Sequence, residues 1–348
     1  MVDYIIVGSG LAGIAFAETA LSHGKTIRVF DNDSQNSSKI AAGLYNPVIL
    51  KRFSKLQHAQ TQLDELQQFY TALEIKLNTN VNFKLPILRR FFSVEEQNNW
   101  FAASDKPGLS EFLSTKLIAT RYTGIDSPFD YGEVMQTGFV DTAMLVQLYR
   151  GLLSKNNLLE TDAFDYNALL ISEHVKYKDI EARHVIFAEG FGLKFNPYFR
   201  HLPLDGTKGE LLIIKSPNLK LDAIINANVF ILPLGNDLFK VGATYNWVDK
   251  TNEPTAEGKA ELIEKIDEVI NCDYQVISHQ AGVRPTVKDR KPLIGTHPEF
   301  KQLHILNGLG TRGVMLAPAM AKDLFENIET GKSLDSTIDI KRFKKVQW

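Results

Sequence analysis

Apolar and polar positions change period several times along the chain, and each change marks an element. The run Tyr4-Ile5-Ile6-Val7 is continuously apolar, as in a strand covered on both faces of a parallel sheet. Gly8-Ser9-Gly10-Leu11-Ala12-Gly13 follows, then an alanine-rich helical segment, then Ile27-Arg28-Val29-Phe30, a second strand ending at Asp31. A polar loop over 32–38 leads to Lys39-Ile40-Ala41-Ala42-Gly43-Leu44-Tyr45-Asn46-Pro47, whose small residues permit close approach to something flat. Over 56–77, Leu56, Leu63, Leu66, Phe69, Tyr70 and Leu73 recur at helical spacing among Gln and Glu, which predicts a long amphipathic helix with this stripe in the core. Residues 83–130 mix aromatics, prolines and short alternating runs, and read as strands and loops of a second domain inserted into the first. Gly138-Phe139-Val140-Asp141 leads into a helix predicted over 142–155, and His184-Val185-Ile186-Phe187-Ala188 is a further buried strand that ends at Glu189-Gly190-Phe191-Gly192. Alternation over 209–276 predicts strands at 210–215, 229–233 and 239–244, with one helix at 257–269. The chain then returns through Ala281-Gly282-Val283-Arg284-Pro285 and a strand at 303–306 to a last glycine loop, Gly308-Leu309-Gly310-Thr311-Arg312-Gly313, at the start of a helix.

The first strand, glycine turn, helix, strand and acid suit a dinucleotide. Gly8 makes the tight turn, Gly10 lets the backbone approach a pyrophosphate, and Gly13 lets the helix pack on the strand. The helix start offers free N–H groups and a positive dipole end to phosphates. Asp31 is placed to hydrogen-bond a ribose hydroxyl and repels an added 2′-phosphate, so the expected nucleotide is FAD or NAD rather than NADP.

Composition narrows the rest. A chain of 348 residues exceeds the usual span of one core, so two domains are expected. The formal net charge of −2, with only Lys341-Arg342-Phe343-Lys344-Lys345 as a mildly basic cluster, demands neither nucleic acid nor an anionic membrane. No apolar run approaches the ~20 residues of a spanning helix. The apolar N-terminus lacks a basic flank and runs into the glycine turn, so it reads as a strand rather than a signal peptide. Cys272 is the one cysteine, which excludes intramolecular disulfides and fits a reducing cytoplasm. The histidines show no H-E-x-x-H spacing, and no metal is expected. Gly331-Lys332-Ser333 and Gly24-Lys25-Thr26 lack the upstream glycine of a P-loop.

Taken together, Gly8 to Gly13, Ala42-Gly43-Leu44-Tyr45-Asn46-Pro47, Ala188-Glu189-Gly190, Thr207-Lys208-Gly209-Glu210, Val241-Gly242-Ala243-Thr244, Ala281-Gly282-Val283-Arg284-Pro285-Thr286 and the loop from Gly308 resemble the FAD-dependent D-amino-acid oxidase superfamily. Its members include glycine and sarcosine oxidases and the oxidase domain of the bacterial tRNA methylaminomethyl-uridine enzyme. The resemblance covers nearly the whole chain and favours FAD over NAD. It implies an α/β fold, a Rossmann-like FAD-binding domain (1–82, 136–208 and 277–348) with an inserted α+β substrate domain (83–135 and 209–276) built on an antiparallel or mixed sheet. It places Gly8, Ser9, Gly10, Leu11, Ala12, Gly13, Asp31, Asn32, Ala42, Gly43, Leu44, Ala188, Gly190, Gly308, Gly310, Thr311, Arg312, Gly313 and Val314 on the FAD. Binding is expected to be non-covalent, since no cysteine or histidine occupies the positions that similar enzymes use.

The resemblance also implies hydride transfer from an amine to flavin N5, with oxygen or another acceptor completing turnover. Arg284 aligns with the arginine that binds substrate carboxylate, the alternative being an ion pair with Asp289. Phe230 replaces a tyrosine of glycine oxidases and has no hydroxyl, so Tyr45 or Tyr245 stands as a compensating donor, or the substrate is not a small free amino acid. Lys240 aligns with a lysine that sarcosine oxidases place beside the flavin, the alternative being a solvent-facing strand lysine. Arg312 matches the tRNA-modifying branch more closely and faces either the flavin pyrimidine or a substrate acid. Three functions remain open: oxidation of a small amine or amino acid, removal of a carboxymethyl group from a tRNA uridine, and a non-catalytic flavoprotein within a complex. No membrane partner is expected.

Overall fold

A computed structural model describes residues 1–344; Lys345, the end of the basic cluster, lies outside the described residues. Strand Val2–Val7 pairs in parallel with Ile27–Phe30 on one side and Ile180–Phe187 on the other. Leu159–Glu160 and Leu303–Asn307 extend this parallel sheet outward, and antiparallel strands at its margin complete eight. The unbroken apolar run is explained by burial on both faces. Tyr4 and Ile6 enter the core beneath helices Leu11–Ser22 and Gly313–Thr330, while Ile5 and Val7 enter a separate core with Phe187 and Leu293. Each such side chain contributes about 1.5–3 kcal/mol by leaving water.

Helix Ala59–Leu77 buries Leu63, Leu66, Tyr70 and Leu73 against that first core. It begins after Leu56 rather than at it, because His58 adopts a left-handed φ of 56° and breaks the chain direction there. Helix Thr142–Lys155 has the expected bounds, with Asp141 accepting from Met144 N at 3.0 Å as its cap. The segment 83–130 is not all strand and loop: it contains helix Val94–Ser104. Ser93 Oγ accepts from Glu96 N at 3.2 Å, and the Glu96 side chain accepts from Phe92 N at 2.9 Å. Ser-x-x-Glu at a helix start is a capping signal that the alternation of neighbouring residues obscured.

The second sheet also has eight strands, in the order Gln275–Arg284, Thr207–Lys215, Leu238–Gly242, Phe230–Gly235, Ile224–Asn226, Ile87–Arg90, Tyr131–Val134 and Leu113–Ile118. Only Ile224–Asn226 with Ile87–Arg90 is parallel, so the sheet is mixed. One face packs on Leu262 and Ile266 of helix Ala256–Asp267. The opposite face presents Gly209, Leu211, Phe230, Gly242 and Gly282 to a cavity.

Candidate functional site

A cavity of about 720 Å³ is bounded by the carboxyl ends of the parallel strands on one side and by the second sheet on the other. Val7, Phe30 and Asn307 reach it at their strand ends, where open parallel sheets bind ligands. Gly8, Gly10, Leu11 and Ala12 line it, and Gly13 sits just behind. A Cβ on Gly13 would lie 1.9 Å from Gly8 O, so only glycine lets the helix approach the turn this closely. Gly13→Ala must push the helix from the strand at a cost of about 1–3 kcal/mol. The expected result is purified protein with a lower flavin-to-protein absorbance ratio; an unchanged ratio would show that the close approach is dispensable.

Gly10 caps helix Leu11–Ser22 without a side-chain acceptor, and Leu11 N donates to Ser38 Oγ at 3.2 Å. The rest of the first turn keeps N–H groups with no acceptor in the helix, the arrangement that holds phosphates. Ser9 does not line the cavity. It donates from N (2.5 Å) and Oγ (2.7 Å) to Asp31 Oδ2, and so fixes the carboxylate at the cavity wall. Arg150 also reaches Asp31, with Nη1 3.2 Å from Oδ1, and contacts Asp33 at 2.9 Å. Sequence reasoning found the helix carrying Arg150 but had no signal for where its side chain points. Asn32 is among the lining residues.

Ala41, Ala42, Gly43 and Leu44 form another wall. Lys240 is outside the lining, yet it is no solvent-facing lysine: Nζ donates to Ala41 O at 3.1 Å, and burial holds its pKa below the usual lysine range against the opposing pull of Asp141. Tyr45 does not reach the lining. It is 2% exposed, and its hydroxyl accepts from Gln67 Nε2 at 3.4 Å. Ala188 and Gly190 line the cavity, as does Glu189, which belongs to the same motif but is not among the residues expected on the FAD. Tyr166 OH donates to Glu189 Oε1, and Asn196 Nδ2 donates to Oε2 at 2.7 Å. Burial nevertheless raises this carboxyl to about 7. Gly310, Thr311, Gly313 and Val314 are in the lining, while Gly308 packs behind against Val287 and Leu293. Arg312 points elsewhere, donating from Nη2 to Arg290 O at 3.3 Å.

Arg284 lines the cavity from the second sheet. Its strand places it opposite Thr207, and the guanidinium folds over Gly209, where a Cβ would lie 1.9 Å from Nη2. Nη1 donates to Thr244 O at 3.3 Å, and the guanidinium carbon lies 4.6 Å from the centre of the Tyr245 ring. Asp289 is not its partner, because that carboxylate is held by Arg342 at 2.9 Å. Among the described residues no carboxylate forms an ion pair with Arg284. Burial draws its pKa down, with Tyr245 opposing, but a guanidinium remains a cation throughout. Phe230 and Leu211 supply the apolar floor beside it.

Residues 3–326 match the family model described as FAD dependent oxidoreductase. The chain belongs to that family. This FAD-dependent oxidoreductase is similar to "Glycine oxidase" of Bacillus subtilis (strain 168), at 23% identity over 99% of this chain and 98% of that protein. It is also similar to the tRNA 5-methylaminomethyl-2-thiouridine biosynthesis bifunctional protein MnmC of Legionella pneumophila (strain Corby), at 22% identity, spanning 86% of this chain but 47% of that protein. The crystal structure of glycine oxidase from Geobacillus kaustophilus superposes with a TM-score of 0.78 at 18% identity, covering 97% of this chain and 98% of that one, so the fold is shared. No helix among the described residues of this FAD-dependent oxidoreductase is long and apolar enough to cross a membrane.

Proposed function

We propose that this enzyme oxidises the C–N bond of a small amine bearing a carboxylate, with Arg284 as the anchor. The observation that carries this reading is a half-buried guanidinium at a cavity wall, held by a carbonyl and an aromatic ring but, among the described residues, by no acid. Such a group gains a partner when a carboxylate enters, and its planar fork fits one bidentately. The glycine oxidase names among the relatives agree with this chemistry.

The cavity fits FAD. An added Cβ on Gly190 or Gly310 would meet nothing within 4 Å, so these lining glycines keep open space beside the backbone. The Gly8–Gly13 turn, the Leu11 helix start and Asp31 would hold the phosphates and a ribose. Ala42, Gly43, Leu44, Ala188, Gly190, Gly310, Thr311, Gly313 and Val314 would line the rest, with 1–82, 136–208 and 277–348 as the nucleotide-holding part and 83–135 and 209–276 as the substrate part. When bound, FAD supplies a two-electron acceptor.

The chain's own residues supply orientation. Arg284 fixes the carboxylate end, and Phe230 and Leu211 keep water from the reacting carbon. Lys240 ties the Ala41 carbonyl to the second sheet, which holds the 41–44 wall at a fixed distance from Arg284. Arg312, the residue that favoured a tRNA substrate, bonds to Arg290 rather than facing the cavity. A cation in the cavity wall also disfavours a purely structural flavoprotein.

Anaerobic addition of glycine, sarcosine, other N-methyl amino acids, proline and D-amino acids, alongside methylamine, dimethylamine and pyrrolidine as counterparts without a carboxylate, should bleach the oxidised flavin band with at least one of the amino acids. Bleaching only by amines that lack a carboxylate would remove the anchor role, and no bleaching by any small amine would return weight to the tRNA substrate.

A further inference from the structure

On strand Thr207–Lys215, Gly209 and Leu211 face the cavity, while Lys208 and Glu210 point to the opposite side. Both are charged, yet Lys208 is 0% and Glu210 3% exposed, a placement that lysine and glutamate take up almost only when paired. Apart from each other and His279, their side-chain partners lie on one segment, residues 244–255. Lys208 Nζ donates to Asp249 and to Glu253 O, and to Thr251 Oγ1 at 3.2 Å. The Lys208 backbone exchanges both hydrogen bonds with Asn246, at 2.9 and 3.0 Å. Glu210 Oε2 accepts from Thr255 N at 2.9 Å, and Oε1 accepts from Thr255 Oγ1 at 2.8 Å. Glu210 N donates to Thr244 Oγ1 at 2.9 Å, and Thr244 N donates to Glu210 O at 3.1 Å. His279 Nε2, 2.8 Å from Glu210 Oε2, completes the cluster.

The segment so held begins with the two groups that touch Arg284, the Thr244 carbonyl and the Tyr245 ring. Tyr245 itself is 60% exposed, so its position comes from the backbone it sits on rather than from packing. We infer that Lys208 and Glu210 are positioning residues for substrate binding: from behind the sheet they fasten the 244–255 segment, and through Thr244 and Tyr245 they set the orientation of Arg284. This rests on the anchor role proposed for Arg284. Asp249, whose carboxyl is held at about 2 chiefly by its hydrogen bond from Lys208, stays ionised across the working pH range and keeps the fastening closed.

The experiment is a titration of the flavin-loaded protein with benzoate, a carboxylate without an amine, followed by the shift in flavin absorption, together with melting temperatures. Lys208→Met should raise the benzoate Kd about 10-fold or more, since small misplacements of an orienting group can cost up to about 100-fold. Asp249→Asn, on the partly exposed side of the same contact, should raise it in the same direction by a smaller factor, and it decides the matter if Lys208→Met does not fold. Flavin content should be unchanged in both, because neither residue lines the cavity. A lower melting temperature with a wild-type Kd would show that the cluster is structural only and would overturn the inference. Arg284→Gln separates the two readings. If it abolishes the response while Lys208→Met and Asp249→Asn bind as wild type, the positioning role fails alone; if it binds as wild type, the anchor role has failed beneath it.

Discussion

Arg284→Gln lowers kcat/KM for a carboxylate-bearing amine by about 30- to 5000-fold, the equivalent of the ~2–5 kcal/mol lost when one partner of a buried charged hydrogen bond is removed. The size follows from the surroundings of Arg284. Its remaining contacts are one carbonyl at 3.3 Å and one aromatic ring, neither of which satisfies a carboxylate once the guanidinium is gone. Arg284→Lys does not restore the rate, because an ammonium lacks the planar fork. Gly209→Ala should produce much of the same loss with Arg284 still present, since the new Cβ would occupy the place of the guanidinium. Amines without a carboxylate provide the check. If their oxidation falls as far as that of the carboxylate-bearing amine, Arg284 stiffens the site and does not bind the acid.

Glu189 by itself removes about 3 kcal/mol of the apoprotein's stability as pH rises from 5 to 8, and Glu189→Gln abolishes that contribution. Glu189 is 9% exposed, and burial lifts its carboxyl from an ordinary 4.5 to about 7, a shift worth about 3 kcal/mol at 1.36 kcal/mol per unit. The sign follows from proton counts. Between these two values the unfolded chain has released the proton while the native protein keeps it, so stability falls with pH through this window and is flat above about 7. His184 and His304 act in the opposite direction, because burial lowers both and the native protein resists charging them in acid. Their contribution cancels when wild type and Glu189→Gln are compared at each pH by urea denaturation. A difference between the two proteins that does not change from pH 5 to pH 8 would show that Glu189 titrates normally.

Local order in the chain determined many of the strands, helices and turns of both sheets. The covered run Tyr4 to Val7, the Gly8–Gly13 turn, the capped helix Thr142–Lys155 and the alternating strands around Gly209 and Gly242 follow from periods of 2 and 3.6 and from residues a few positions apart. Helix Val94–Ser104 was legible too, in Ser93 and Glu96, but its polar face and aromatic neighbours suggested strands instead. What only the tertiary structure decided was the direction of each side chain at the cavity. Tyr245 lies on Arg284 while Tyr45 is buried elsewhere, Arg312 turns to Arg290, Arg150 meets Asp31, and Lys208 fastens a segment forty residues on. Those outcomes depend on the register between strands distant in sequence, such as Thr207 opposite Arg284, and on which of two faces an alternating strand gives to the cavity. A one-residue change in that register would exchange the faces, and nothing within either strand records which register forms.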